Sequence, residues 1–106
     1  MSQLIGTCIW FDGNAKEAFN YYQNIFKEVE LISENPFAVV YNLYGRRFMH
    51  LNGGPSHPIT PAISFYIMAD SNEEAETIWN QLIIDGKILM PLNEYPWSKK
   101  YGWCAD

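Results

Sequence analysis

The sequence is poor in positive charge. Seven Lys and Arg residues stand against twelve Asp and Glu, which gives a net charge of −5. Proteins bind phosphate backbones through clustered Lys and Arg, so this balance argues against a nucleic-acid partner. No apolar run approaches the roughly 20 residues of a membrane span. The N-terminus lacks the basic start and apolar core of a secretory signal. We therefore expect a cytoplasmic protein that binds neither nucleic acid nor membrane.

Cysteine is also scarce. Cys8 and Cys104 are the two cysteines, and they do not form the CxxC pair of a metal or redox motif. The pattern indicates two reduced, partly buried thiols of a cytosolic protein. By contrast, 48% of the residues are hydrophobic and 16% are aromatic. A chain of 106 residues with this composition is expected to form one domain with a substantial core.

Two short stretches of the chain repeat each other. Asn14 and Ser71, 57 positions apart, are each followed three residues later by a Glu, Glu17 and Glu74. This spacing is that of the capping box, in which the two side chains bond the first amides of a helix. Each stretch follows a strand-like run and precedes apolar residues at helical spacing. The sequence therefore predicts one strand-helix unit that is used twice.

The remaining patterns place this unit in an α+β fold with two βαβββ-type modules. They predict helices at 15–27 and 71–84, and strands at 5–11, 29–33, 37–43, 46–52, 62–69, 87–91 and 102–105. Within a single domain, module one covers about 4–54, a Gly- and Pro-rich linker covers 53–61, and module two covers 62–106. The second module is one strand short. The sheet edge that this leaves open favours a homodimer.

Three segments carry a family resemblance. Residues 9–15 (IWFDGNA), 48–55 (FMHLNGGP) and 62–65 (AISF) resemble the PhnB-like branch of the glyoxalase, bleomycin-resistance and dioxygenase superfamily, the vicinal oxygen chelate proteins. The resemblance implies cupped mixed sheets, outer helices, a cavity between the modules and frequent dimerisation. Members of this branch run on into a last strand, so we expect that this chain is truncated or that its gene product ends early.

The resemblance also implies where a metal would bind in metal-dependent relatives. The positions that correspond to the metal ligands are Thr7, Ser64, the neighbourhood of His50, and a residue of the missing strand. Thr and Ser are not usual ligands of zinc, nickel or iron, which prefer imidazole, thiolate or carboxylate. His50 alone cannot hold a metal. We therefore predict that the protein uses no metal and no cofactor.

Side-chain alternation along the strands predicts which residues line the cavity. If Thr7 faces inward, the residues expected to bind a ligand are Thr7, Phe11, Phe48, His50, Asn52, Ser64 and Tyr66. The opposite face, with Trp10, Met49 and Leu51, is then expected to pack under the helices. His50 is the catalytic candidate, as a general base, or is a structural histidine. Asn52 orients a ligand or satisfies the backbone of a turn.

These observations lead to one main hypothesis with alternatives. The main hypothesis is a metal-free PhnB-like protein that binds a small organic ligand between its modules. The alternatives are a metal-dependent lyase, isomerase or dioxygenase completed by the missing strand or a partner chain, a protein that sequesters a drug or metabolite, and a fragment without activity. PhnB-like sequences are sometimes described as methyltransferases. The chain lacks the Gly-rich strand-to-helix turn of a methyl-donor site, and its strand order differs from that fold.

Overall fold

The computed structural model describes residues 5–60 and 62–106. The chain divides into two compact units, Met1–Thr60 and Pro61–Asp106, which we call unit one and unit two. The boundary falls within the linker predicted at 53–61. Residue 4, the predicted start of module one, and residue 61, the last linker residue, lie outside the described residues.

Unit one contains one helix and one four-stranded sheet. Its elements, in chain order, are β1 (Thr7–Phe11), α1 (Ala15–Ile25), β2 (Val29–Glu34), β3 (Ala38–Leu43) and β4 (Arg46–Asn52). The strand order is β1-β4-β3-β2, in which β1 runs parallel to β4 and the other pairs are antiparallel. The βαβββ arrangement predicted for the first module is therefore confirmed.

A tight turn connects β3 to β4. Tyr44 and Gly45 both have positive φ, 50° and 78°. Two successive left-handed residues are the signature of a type I′ hairpin turn, whose twist matches that of the flanking strands. Gly45 adopts this conformation without steric cost because glycine has no Cβ atom. The strands predicted at 37–43 and 46–52 are thus joined through these two residues.

The core of unit one lies between α1 and the sheet. Ala15 and Phe19 of α1 are buried against Val39 and Tyr41 of β3, and each of the four side chains is at most 2% exposed. The rings of Phe19 and Tyr41 lie 4.9 Å apart in a tilted arrangement typical of aromatic pairs. Ala15 and Phe19, which α1 buries, are two of the apolar residues at helical spacing that follow Asn14.

The two helices begin differently, although their sequences match. The Ser71 hydroxyl accepts a hydrogen bond from the Glu74 amide at 3.1 Å, as predicted, while the Glu74 carboxylate accepts one from the Asp70 amide.

At the start of α1, Asn14 makes no capping bond with its side chain, so the prediction for the first helix is wrong. Its φ and ψ of −115° and 27° are not the extended geometry of a capping residue. Instead, the side chain of Asn52 accepts from the amide of Ala15 at 3.0 Å.

Unit two contains the helix α2 (Asn72–Leu82) and an antiparallel pair of strands, β5 (Lys87–Tyr95) and β6 (Ser98–Ala105). Both strands are longer than the predicted strands at 87–91 and 102–105, because the turn between them consists of residues 96–97 alone. The strand predicted at 62–69 is wrong, since these residues form no regular strand. Their alternating apolar residues favour a strand, but a strand also needs a neighbour for its backbone. Among residues 62–106, the sheet consists of β5 and β6.

The start of α1 supplies a first test. Replacing Asn52 with Ala leaves the Ala15 amide without its acceptor, so we expect a loss of about 1–2 kcal/mol in the free energy of unfolding. Replacing Asn14 with Ala removes no capping bond and is expected to cost less than about 0.5 kcal/mol. Urea unfolding followed by circular dichroism measures both. A larger loss for Asn14→Ala than for Asn52→Ala would contradict this assignment.

Candidate functional site

The sheet of unit one has two faces of different character. Strand register assigns residues to each, because directly paired residues point the same way. The covered face, against which α1 packs, carries Thr7, Ile9, Phe11, Val39, Tyr41, Phe48, His50 and Asn52. The open face, which α1 does not cover, carries Cys8, Trp10, Ala38, Val40, Asn42, Arg47, Met49 and Leu51.

This assignment corrects the prediction for the first module. Phe11 and Phe48 pack against the core that contains Phe19 of the helix, and His50 is fully buried. Met49, which was expected under the helix, is 37% exposed. Alternation grouped these residues correctly but placed the helix on the wrong side. The polar His50 and Asn52 suggested a pocket, whereas in the structure they bond the helix itself.

His50 is held by two hydrogen bonds within the core. Its Nδ1 lies 3.1 Å from the carbonyl oxygen of Ala15, and its Nε2 lies 2.8 Å from the hydroxyl of Tyr41. A carbonyl can only accept, so Nδ1 carries the proton. In the neutral ring, Nε2 then accepts from the Tyr41 hydroxyl. The rings of Phe11 and Tyr22 lie 4.5 and 6.0 Å away. This arrangement favours the structural alternative for His50.

The amide of Asn52 is also engaged with backbone. Its oxygen accepts from the amide of Ala15, and its nitrogen donates to the carbonyl of Pro36 at 3.1 Å. One side chain therefore joins the start of α1 to the loop between β2 and β3. The arrangement favours the structural alternative for Asn52 as well. A residue of this kind has no local sequence signal, because its two partners are 37 and 16 positions away.

The other predicted ligand-binding residues are divided between the two units. Thr7 is half-buried on the covered face of unit one. Ser64 and Tyr66 lie in the irregular segment of unit two, where Ser64 accepts a hydrogen bond from the indole of Trp103 at 3.2 Å and Tyr66 is 86% exposed. A role for these three residues in ligand binding stays a prediction.

The open face is built in three rows across β3 and β4. Arg47 and Asn42 form the first row, Met49 and Val40 the second, and Leu51 and Ala38 the third. From β1, Cys8 joins the second row and Trp10 joins the third. The face is therefore charged and polar at one end and apolar over the rest. Such a mixture of apolar surface with a few fixed polar groups is typical of small-molecule sites.

The linker contributes to the apolar end of this face. Gly53 lies so close to Trp10 that a Cβ atom at this position would sit 2.4 Å from the indole ring. The ring of His57 meets Trp10 edge-on, with centroids 5.0 Å apart. His57 itself is exposed. These contacts hold the indole against the chain that follows β4.

A groove of about 290 Å³ lies beside the β3–β4 hairpin of unit one. Its lining combines one lysine, two glutamates and three uncharged residues: Lys27, Glu28, Val29, Glu30, Asn42 and Gly45. Because charges of both signs border an open groove, the groove itself favours no particular ligand chemistry. Its residues Glu30 and Asn42 nevertheless continue the polar row of the open face.

Within residues 5–60 and 62–106, no three His, Cys, Asp or Glu side chains lie close enough to form a metal site. Of the positions suggested by the family resemblance, Thr7 is on the covered face and His50 has both ring nitrogens in hydrogen bonds. The use of no metal stays a prediction. The packing of α1 and the hydrogen bonds of His50 do not present Thr7 or His50 to a metal.

The His50 network supplies a second test. Tyr41→Phe removes the hydroxyl that faces Nε2 of the buried histidine, so we expect a loss of about 1–2 kcal/mol in the free energy of unfolding. Tyr44→Phe is the matched control. The Tyr44 hydroxyl also accepts a hydrogen bond, from the amide of Lys27, but its side chain is 48% exposed. We expect the control to cost less than about 0.5 kcal/mol. Equal losses in urea unfolding would contradict the buried network.

The two cysteines supply a third test. Burial raises the pKa of the Cys104 thiol, and the negative charge of Asp106 raises this pKa further. Cys8 is exposed on the open face. Since the thiolate is the reactive form, iodoacetamide should modify Cys104 several-fold more slowly than Cys8 at pH 8. Mass spectrometry of the Cys8→Ser and Cys104→Ser variants, each with one thiol, measures the two rates. The Cys104 rate should continue to rise towards pH 10, and a faster reaction at Cys104 than at Cys8 would contradict the assignment.

Comparison with known proteins identifies the family. The model of a family described as 3-demethylubiquinone-9 3-methyltransferase matches residues 3–106. No curated protein matches the chain. A structure described as a PhnB protein from Bacillus cereus is 36% identical, with a TM-score of 0.87 over 96% of this chain and 90% of that one.

A crystal structure of a Pseudomonas aeruginosa protein is also similar. It is 26% identical, with a TM-score of 0.74, over 99% of this chain and 90% of the other. The match of the family model spans nearly the whole sequence and includes the three segments that carry the resemblance. The chain therefore belongs to the PhnB-like family described as 3-demethylubiquinone-9 3-methyltransferase, and it has the glyoxalase-type α+β fold.

Proposed function

We propose that this PhnB-like protein binds a small organic molecule on the open face of unit one and does so without a metal. The observation that carries the proposal is the contrast between the two faces of one sheet. The covered face is filled by α1, which buries His50 completely. The open face presents half-exposed apolar side chains beside a polar row.

The chemistry of the open face suits a ligand with an apolar part. Val40, Met49 and Leu51 form a continuous apolar strip on adjacent strands, and Trp10 extends it by a large flat ring. Aromatic and aliphatic side chains supply most of the contact area in small-molecule sites, while a few polar groups set orientation. The open face holds both kinds of group. The prediction of a cavity between the two modules stays a prediction.

The family description names a methyltransferase, and the proposal does not include that activity. Methyl donors are commonly bound at a Gly-rich turn that follows a strand of a parallel sheet. Among the strands that the structure describes within residues 5–60, β1 and β4 are the one parallel pair, and β1 is followed by Asp12-Gly13-Asn14 before α1. This turn lacks the glycine spacing of a cofactor loop. Ligand binding on the open face is therefore the better supported function.

The proposal includes partners and location. A net charge of −5 supports a small-molecule ligand over a nucleic acid. Across residues 5–60 and 62–106, neither helix has the length or apolar character needed to cross a membrane. We propose a cytoplasmic homodimer. Exposed apolar residues of unit two, including Ile63 at 78% and Met68 at 83%, support association of this kind.

A matched pair of substitutions tests the proposed face. Met49 and Leu31 lie on the same sheet with 37% and 42% exposure, but Met49 is on the open face and Leu31 pairs with Tyr41 of the covered face. We expect Met49→Glu to weaken ligand binding at least roughly tenfold, because it places a carboxylate in the apolar strip. Leu31→Glu should leave binding within about twofold.

Calorimetric titration with a set of small aromatic acids, alcohols and amides measures the affinity of the wild type and of both variants. NMR titration of wild-type protein labelled at the methionine methyl groups shows where these ligands bind. Binding should shift the Met49 methyl signal, with and without a chelator. Ligands that shift no Met49 signal, or that weaken equally in both variants, would contradict the proposed face. Binding that disappears with the chelator would instead support a metal-dependent member of the superfamily.

A further inference from the structure

We infer that the open face selects organic anions with an apolar body, with Arg47 binding the acid group and Trp10 contacting the far end of the molecule. The inference rests on the proposed function and adds the class of ligand. It follows from two features of this face. At the polar end, a hydrogen bond to Asn42 fixes the guanidinium of Arg47. At the apolar end, the indole of Trp10 packs against Gly53.

The direction of the Arg47 side chain is set by a chain of hydrogen bonds across three strands. Its Nε donates to the amide oxygen of Asn42 at 2.8 Å, and the amide nitrogen of Asn42 donates to the Glu30 carboxylate at 3.1 Å. Glu30 therefore orients Asn42 so that its oxygen faces Arg47. A guanidinium held by its Nε loses little further freedom when it binds an anion. This is the kind of pre-organisation expected in a binding residue.

Gly6, which directly precedes β1, leaves space for the Arg47 side chain. A Cβ atom at Gly6 would lie 3.3 Å from Cγ of Arg47, which is tighter than an ordinary van der Waals contact. The absence of a side chain at Gly6 thus permits the observed path of Arg47. Gly53 has the corresponding relation to Trp10 at the other end of the face, where a Cβ would overlap the indole. A side chain at Gly53 would therefore require the indole to move, whereas one at Gly6 would require Arg47 to shift by a few tenths of an ångström.

The strip between the two ends sets the kind of molecule that fits. Arg47 and Leu51 are four residues apart on β4, which corresponds to about 13 Å along a strand. Met49 and Val40 lie between them, and Trp10 pairs with Leu51. A ligand that reaches both ends therefore needs an acid group and an aromatic or aliphatic body separated by several bonds.

The positive charge of Arg47 favours a ligand whose polar group is negatively charged. Arginine pairs with carboxylate or phosphate through two parallel hydrogen bonds, and such charge-assisted bonds strengthen beside apolar surface. Half-buried Arg47 borders the apolar strip of Met49 and Val40. A neutral analogue of the same shape would keep its apolar contacts and lose this interaction. An ammonium beside the guanidinium would meet a like charge, since the carboxylate of Glu30 lies on the other side of Asn42.

The test compares 6-phenylhexanoate with its primary amide, which share one body and differ in charge. NMR titration monitors the Met49 methyl signal in the wild-type protein, in Arg47→Gln and in Arg46→Gln. Arg46 is the matched control, since it is the adjacent arginine, is exposed, and alternates to the other side of β4. We expect the wild type and Arg46→Gln to bind the acid roughly tenfold more tightly than the amide. Arg47→Gln should bind both compounds equally.

A further variant separates charge from orientation. Asn42→Ala keeps the guanidinium and removes the acceptor that fixes Nε, so we expect it to lose part of the preference for the acid. Circular dichroism confirms that each variant is folded. Equal affinity of the wild type for acid and amide, with Met49 shifted by both, overturns the inference and leaves the proposed function intact. No shift of Met49 by either compound overturns both.

Discussion

The structure of unit one depends on the way a single residue, Ala15, is bonded to β4. The Ala15 amide donates to Asn52, and the Ala15 carbonyl accepts from His50. His50 and Asn52 are two positions apart on the strand, so both point to the same side of the sheet. The first residue of α1 is therefore fixed at both of its backbone groups. These bonds, together with the burial of Phe19 on Tyr41, hold the helix against one face.

The proposed site is the consequence of this packing. Because α1 covers the face that carries His50, the residues that alternate with His50 on β4 lie on the face that α1 does not cover. Arg47, Met49 and Leu51 form the three rows of that other face, and Trp10 completes it from β1. The polar residues of unit one thus divide into two sets. His50 and Asn52 stabilise the fold, whereas Arg47, bonded to Asn42, lies on the face that we propose for the ligand.

The sequence predicted the elements of unit one well, since helical spacing, alternation and the Tyr44-Gly45 turn are local signals. It also grouped the strand residues into the correct two sets. It could not predict which set the helix covers, because alternation is symmetric between the faces. The bonds that decide it join residues 35 and 37 positions apart. The strand predicted at 62–69 failed for a related reason: local propensity does not supply the neighbour that a strand requires.

The central claim is that one face of this sheet serves the fold and the other serves the ligand. A crystal structure of the protein with 6-phenylhexanoate tests this claim most directly. We expect the carboxylate to lie on the Arg47 guanidinium and the phenyl ring to lie against Leu51 and Trp10, with the His50 bonds to Ala15 and Tyr41 unchanged. A ligand bound instead against Phe48 and His50, with α1 displaced from the covered face, would contradict it.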